Sequence, residues 1–263
     1  MGETYVGVDG TGPGSAALDW AVRRAARRGD RVHLIHVAED RSGQAEAHGR
    51  RMLAEAADSA RRSAPDVRLS TGLLHGSVSR QLAVLGAPGD LLVLGTHKTG
   101  FLRGRLIGSR SVLIATAAQA SVAVIPEIGL TTRRGVLVGV DRLGASAPAV
   151  IFAAEEAELL GQELSMLHAA PLQGSGRPSA SDVDALLLSD AAALAAAAAS
   201  PPSVITRVAR RSVAEALLDA ARSTSLLVLG TSHGDHTPTV AGPVAHDVLV
   251  NINAPVVIAR PAG

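Results

Sequence analysis

The 263-residue sequence has no cysteine, which excludes a disulfide framework, a thiolate metal site and a cysteine nucleophile. Aromatic side chains are almost as scarce: one Trp, one Tyr and two Phe make up 2% of a chain that is 47% hydrophobic. Any core must therefore be filled by Ala, Val, Leu and Ile, a composition that suits parallel strands covered by helices. Net charge is nearly absent too, with 25 basic against 24 acidic residues, so no general attraction to nucleic acid or to an anionic membrane is expected. Nor is there a long charge-free apolar run. The most apolar stretch, residues 183–199, is mostly alanine and carries Asp184 and Asp190, which reads as a packing or surface helix and not a membrane span. Met1 leads into the strand-like residues 4–8 with no basic and apolar leader between, and a cytoplasmic protein is the expectation.

What the chain does have is an internal repeat. Leu91-Leu92-Val93-Leu94-Gly95-Thr96 returns residue for residue as Leu226-Leu227-Val228-Leu229-Gly230-Thr231, 135 positions later. Val6-Gly7-Val8-Asp9 returns as Val138-Gly139-Val140-Asp141, and Leu34-Ile35-His36 is echoed by Met166-Leu167-His168, both 132 positions later. Because the order and spacing of the matches are preserved, duplication explains them better than chance similarity among apolar strands. Two domains are expected, 1–130 and 135–263, joined through a short polar segment. In the first, strands are predicted over 4–8, 31–37, 67–74, 90–94 and 121–125. A helix should follow Gly12-Pro13-Gly14-Ser15, and another, capped by Ser77, should run through Leu85. Strand alternating with helix implies α/β architecture, two tandem Rossmann-like domains, each a five-stranded, mainly parallel sheet with helices on both faces. Such sheets bind ligands at the carboxyl ends of their strands, where the strand order reverses. Asp9, Val37 and the loop after Leu94 lie at such ends.

That loop is rich in glycine and cations. Between Thr96 and Arg110 stand Lys98, Arg103 and Arg105 with no carboxylate, and Gly108-Ser109 opens the next helix. Glycines let backbone N–H groups approach an anion, and a helix N-terminus favours one, so phosphate is a candidate ligand; a solvated loop with scattered bases is the alternative. The arrangement resembles the universal stress protein family, whose nucleotide-binding members carry G-x2-G-x9-G-[ST] here. Gly95, Gly108 and Ser109 fall on that pattern, while Lys98 stands at the second glycine.

The resemblance implies adenine nucleotide α-hydrolase-like domains that bind ATP, with or without Mg2+. It assigns Asp9 to the nucleoside and the backbone at Val37 to adenine, and it gives Leu94, Gly95, Lys98, Gly108, Ser109 and Arg110 to the strand end and phosphate loop. It also implies a stress-regulatory role, an unidentified protein partner, and pairing of the last strands, 122–125 and 256–259, as an internal pseudo-dimer, with homodimerisation open. A turn cap is the other reading of Asp9.

The second copy keeps Asp141 but not the loop. Its late glycine comes one residue sooner, Pro243 replaces the serine, and Asp235 and Asp247 bring acid where the first copy has base. A nucleoside could still meet Asp141, but a triphosphate is disfavoured, so occupancy should be asymmetric.

Competing patterns are weaker. Gly10-Thr-Gly12-Pro-Gly14-Ser15, with Glu39 or Asp40 after the second strand, approximates a dinucleotide fingerprint but lacks its third glycine. A P-loop starting at Gly95 fails at Phe101 and Leu102. His233, His236 and His246 with Asp235 have no ordered ligand spacing, and His36 and His168 read as satisfied core residues. With no G-x-S-x-G elbow and no evident nucleophile, base and acid set, slow ATP hydrolysis is the most catalysis to expect. A nucleotide-free interaction module and an NAD-linked enzyme complete the alternatives.

Overall fold

A computed structural model describes residues 2–97, 109–127, 132–169, 180–231 and 242–262. The chain divides into two compact units, Met1–Glu127 with Pro261–Gly263, and Ile128–Arg260. Each is an α/β unit of the Rossmann-like kind.

The first unit runs β1 (Glu3–Gly7), α1 (Gly12–Arg28), β2 (Arg31–Ala38), α2 (Gly43–Ser63), β3 (Arg68–His75), α3 (Val78–Ala83), β4 (Leu91–Thr96), α4 (Ser109–Ala117) and β5 (Ser121–Pro126). Its parallel sheet has the order β3-β2-β1-β4-β5, so the direction of winding reverses between β1 and β4. Right-handed crossovers then place α1 and α2 on one face and α3 and α4 on the other. The contacts agree: α1 packs on α2, and α3 on α4.

Local sequence explains the elements. Thr11 caps α1 by accepting a hydrogen bond from Gly14 N–H, Pro13 sits in the first turn where its missing N–H is harmless, and Gly29 closes the helix at φ +74°. Ser42 caps α2 through Ala45 N–H. Two hydrogen bonds from Ser42 in turn hold the Asp40 carboxyl below the ordinary carboxylate range. Strands β4 and β5 are buried almost throughout, as continuous apolar runs under helices must be. Ala17, Ala21, Val22 and Ala25 face inward from α1, and these small side chains let the helix lie close over β4 and β5 without aromatic filling.

The second unit repeats the plan with β6 (Val136–Gly139), α5 (Leu143–Leu160), β7 (Leu164–Ala169), α6 (Ala180–Ala198), β8 (Val204–Ala209), α7 (Val213–Ala221), β9 (Leu226–Leu229), α8 (Pro243–Val250) and β10 (Val256–Ile258). Its order, β10-β9-β6-β7-β8, is that of the first unit read from the other end. The alanine-rich stretch is the helix α6, which buries Leu188, Ala191 and Ala195 and packs on α5, β7 and β8. Among the described residues no helix is long and apolar enough to cross a membrane.

Two local expectations need correction. Ser77 occupies the N-cap position of α3 but makes no capping hydrogen bond with its side chain, and the helix ends at Ala83, short of Leu85. Strand β4 extends to Thr96, so Gly95 lies inside a strand and not in the loop after it. The reason is a close approach: a Cβ on Gly95 would stand 2.4 Å from the Pro13 carbonyl carbon and oxygen. Glycine here lets the strand run on beside the start of α1.

Candidate functional site

The sheet of the first unit opens a cleft where its order reverses, at the carboxyl ends of β1 and β4. It holds about 340 Å3 and is lined by Val8 and Asp9 after β1, Ile35 to Val37 from β2, Leu94 and Gly95 from β4, and Arg110, Ser111 and Ile114 from α4. Five of the residues singled out by sequence, Asp9, Val37, Leu94, Gly95 and Arg110, therefore meet around one cavity. Ser109 supplies the first residue of α4. Lys98 and Gly108 lie outside the described residues.

Asp9 is exposed, and its Oδ1 accepts hydrogen bonds from the Thr11 backbone N–H at 3.0 Å and the Thr11 hydroxyl at 2.7 Å. The turn-cap reading thus describes its contacts, while its position on the cleft wall leaves it facing any ligand there. Val37 and Leu94 are buried, so their backbones and apolar flanks form the floor. Arg110, extended and mostly exposed, reaches Glu39 Oε1 at 3.4 Å across the mouth.

Glu39, Ser111 and His36 join the cleft without having been assigned to it by sequence. His36 donates from Nδ1 to the Val8 carbonyl at 2.7 Å, tying the ends of β1 and β2 together. His168 makes the same bond to Val140 at 2.8 Å, and its Nε2 lies 3.3 Å from Asp184. The signal was present in the repeat, since both copies retain histidine at the same place in an otherwise apolar strand. Ser111 gave no such signal, because only the winding of α4 turns it toward β4, where its hydroxyl approaches the Gly95 carbonyl at 3.4 Å.

The glycine-rich turn at residues 10–15 is closed by the chain's own groups. A Cβ on Gly12 would stand 2.3 Å from Glu127 Oε1, and one on Gly14 would stand 2.2 Å from Asp9 Oδ1. Two carboxylates already face the start of α1, so a dinucleotide pyrophosphate would be repelled where the fingerprint needs it attracted. Asp40 is likewise engaged, by Ser42.

A second hydrogen-bonded group lies outside the cleft. Ser70 Oγ and His33 Nδ1 are hydrogen-bonded at 2.6 Å and His33 Nε2 bonds the Glu3 carboxylate, with Tyr5 stacked on the imidazole at 4.9 Å. The bond from His33 holds the Glu3 carboxyl below its ordinary value. Strand register aligns Tyr5, His33 and Ser70 on neighbouring strands, a relation invisible in the linear sequence. None of these residues lines the cleft.

The second unit has the corresponding cleft, about 220 Å3, lined by Gly139 to Arg142, Ala145, Ser146, Leu229 to Thr231 and Gly242 to Ala245, among others. Asp141 is there, largely exposed, with the Arg142 guanidinium at 3.6 Å. Of the histidine cluster, His246 is an exposed residue of α8, while His233, His236 and Asp235 lie outside the described residues. Among the described residues no group of three or more His, Asp or Glu side chains could hold a metal ion.

The universal stress protein family model matches the chain twice, over residues 4–126 and 132–260. A universal stress protein of Mycolicibacterium smegmatis is 25% identical over 286 aligned positions, covering 97% of this chain and 96% of the relative. One from Mycobacterium tuberculosis is 28% identical over 301 positions, covering 97% and 94%. Among solved structures, that of a universal stress protein from Archaeoglobus fulgidus aligns with 99% of this chain and 98% of its own at a TM-score of 0.77 and 13% identity, a likeness of fold.

Proposed function

Because the chain belongs to the universal stress protein family, we propose that its first unit binds an adenine nucleotide, with ATP as the ligand, and that occupancy regulates the protein's shape or contacts under stress. The observation that carries this reading is the cleft at the β1–β4 switch point, which gathers Asp9, Val37, Gly95 and Arg110 at the place where sheets of this order bind ligands. Its volume of about 340 Å3 falls in the usual range for small-molecule sites, about 300–1,000 Å3.

In this reading Asp9 accepts from the ribose and the backbone at Val37 meets the base. Gly95, Ser109 and Arg110, with Gly108 and Lys98 from the loop, face the phosphates. Arg110 must exchange Glu39 for a phosphate oxygen. An exposed ion pair of that kind contributes only about 0–1 kcal/mol, whereas a charge-assisted hydrogen bond to a phosphate oxygen contributes about 1.5–3 kcal/mol, so the exchange is favourable. Mg2+ accompanying the triphosphate would meet Glu39, the carboxylate on the same wall.

The direct test is to denature purified protein in acid and identify what is released by mass spectrometry. Adenine nucleotide should be recovered from the wild type and lost from Asp9→Ala and Gly108→Ala. Recovery of none, together with no measurable affinity of the wild type for added ATP, would remove the proposal.

A further inference from the structure

We infer that the cleft of the second unit is a separate site for an uncharged ligand, a nucleoside without phosphate. It rests on the nucleotide reading of the first unit only for the identity of the ring system; the rejection of phosphate comes from the second unit's own residues.

The first observation is a hydroxyl with nothing to bond. Thr231, 3% exposed, lines the cleft, and its Oγ1 has no hydrogen-bond partner among the described residues. Its counterpart Thr96 donates to the His97 carbonyl at 3.3 Å and does not line the first cleft. A buried hydroxyl without a partner is costly in a folded protein, and a ligand that supplies an acceptor or donor removes that cost.

The second observation is a carboxylate released from turn duty. Leu143 stands where the first unit has Thr11, so the bonds that occupy Asp9 Oδ1 have no equivalent at Asp141. The Asp141 backbone N–H instead donates to Ser146 Oγ at 3.0 Å, and the Asp141 side chain is 80% exposed on the cleft rim. A carboxylate so placed can accept from a pair of hydroxyls, the pattern that a ribose presents.

The third, among the described residues, is the loss of the groups that open α4 in the first unit. Pro243, Val244 and Ala245 open α8 where Ser109, Arg110 and Ser111 open α4. Proline offers no N–H, valine replaces the cation, and alanine removes the hydroxyl. Among the described residues that line this cleft the cation is Arg142, which already lies against Asp141. Leu217, Leu229 and Val244 leave apolar walls suited to a flat ring. The volume, about 220 Å3, is also below that of the first cleft. Ring, hydroxyl pair and a polar edge for Thr231, without charge, together describe a nucleoside.

The test is a calorimetric titration of the full-length protein with adenosine in the presence of saturating ATP. One equivalent of adenosine should bind despite the ATP. Its affinity should fall on the order of tenfold in Thr231→Val and in Asp141→Asn, and return in Thr231→Ser, which restores the hydroxyl. ATP binding to Thr231→Val should match the wild type. Failure of adenosine to bind, its displacement by ATP, or an unchanged affinity in Thr231→Val overturns the inference. If ATP does not bind the wild type at all, yet Thr231→Val still weakens adenosine binding on the order of tenfold, the nucleotide reading of the first unit falls and this one stands.

Discussion

The two clefts are built on the same five-strand frame, and they differ at the starts of the helices that border them and not at the positions that pack the strands. Gly7 and Gly139 both lie against a leucine at the end of the switch strand, Leu94 or Leu229, at about the same distance, 3.1 and 3.0 Å from an added Cβ. Gly95 and Gly230 both let strand and helix start approach, and His36 and His168 both tie the first two strands together through a carbonyl. In contrast, Thr11 has become Leu143, Ser109 has become Pro243, and Arg110 has become Val244. In the first group, a methyl added at Gly95 or Gly230 would meet backbone at 2.4 or 2.7 Å, so packing holds these positions in both copies. At the second group solvent or a ligand takes up the difference, so duplicated copies can diverge in chemistry without diverging in fold.

That contrast can be broken most forcefully at the shared glycines. Gly95→Ala would press its methyl to 2.4 Å from the Pro13 backbone, and Gly230→Ala to 2.7 Å from the Ala145 carbonyl. Overpacking of this kind costs about 1–3 kcal/mol or more, and the first substitution, meeting three backbone atoms within 2.6 Å, should cost more than the second. Urea denaturation of both variants measures it; equal, negligible losses would mean that the frame is not what the glycines preserve.

A smaller effect should separate the clefts by charge. Arg110→Ala should weaken ATP by about 1.5–3 kcal/mol, roughly ten- to a hundredfold, and leave adenosine in the second cleft unaffected. Val244→Ala, at the corresponding position, should leave ATP affinity unchanged. Titration of each variant at two salt concentrations checks this, since only the arginine's contribution should shrink as salt rises.

The smallest effect concerns acid. Asp40, at the entry to α2, has its carboxyl held down first by the Ser42 hydroxyl, then by the Ser42 backbone N–H. A carboxyl lowered in the folded state contributes stability that is present above its unfolded value and lost as pH falls through the folded one, here below about pH 4. Thermal melts should therefore show Asp40→Ala less stable than wild type at neutral pH, with the gap closing below about pH 4. A gap that persists unchanged into acid would trace the effect to packing and not to the carboxylate.

Much of the frame was legible in the chain. The recurrence of Leu-Leu-Val-Leu-Gly-Thr marked the switch strand in both copies, and the alternation of apolar runs with helix starts placed the five strands of the first unit and the starts of α1, α3 and α4 within a few residues. Strand ends were less legible: nothing local says that β4 continues through Gly95, because the cause is the backbone of Pro13, eighty-two positions earlier. For the cleft, Asp9, Val37, Leu94, Gly95 and Arg110 could be named because each sits next to a strand end or a loop glycine. His36, Glu39 and Ser111 could not be assigned to it, since their roles depend on which strands are neighbours and on the turn of a helix.

The amino-acid sequence by itself determined that there are two copies of one α/β plan and that the second copy lost the serine and the cations of the first. Both are properties of residue order, and a repeat or a Ser-to-Pro exchange is visible before any folding occurs. Only the tertiary structure decided that Asp9 is engaged by its own turn while Asp141 is not, and that, among the described residues, the buried hydroxyl of Thr231 has no partner while that of Thr96 has one. Identical residues at matching positions differ in this way because hydrogen-bond satisfaction is settled by what the fold brings within about 3 Å, and chain order does not encode that distance.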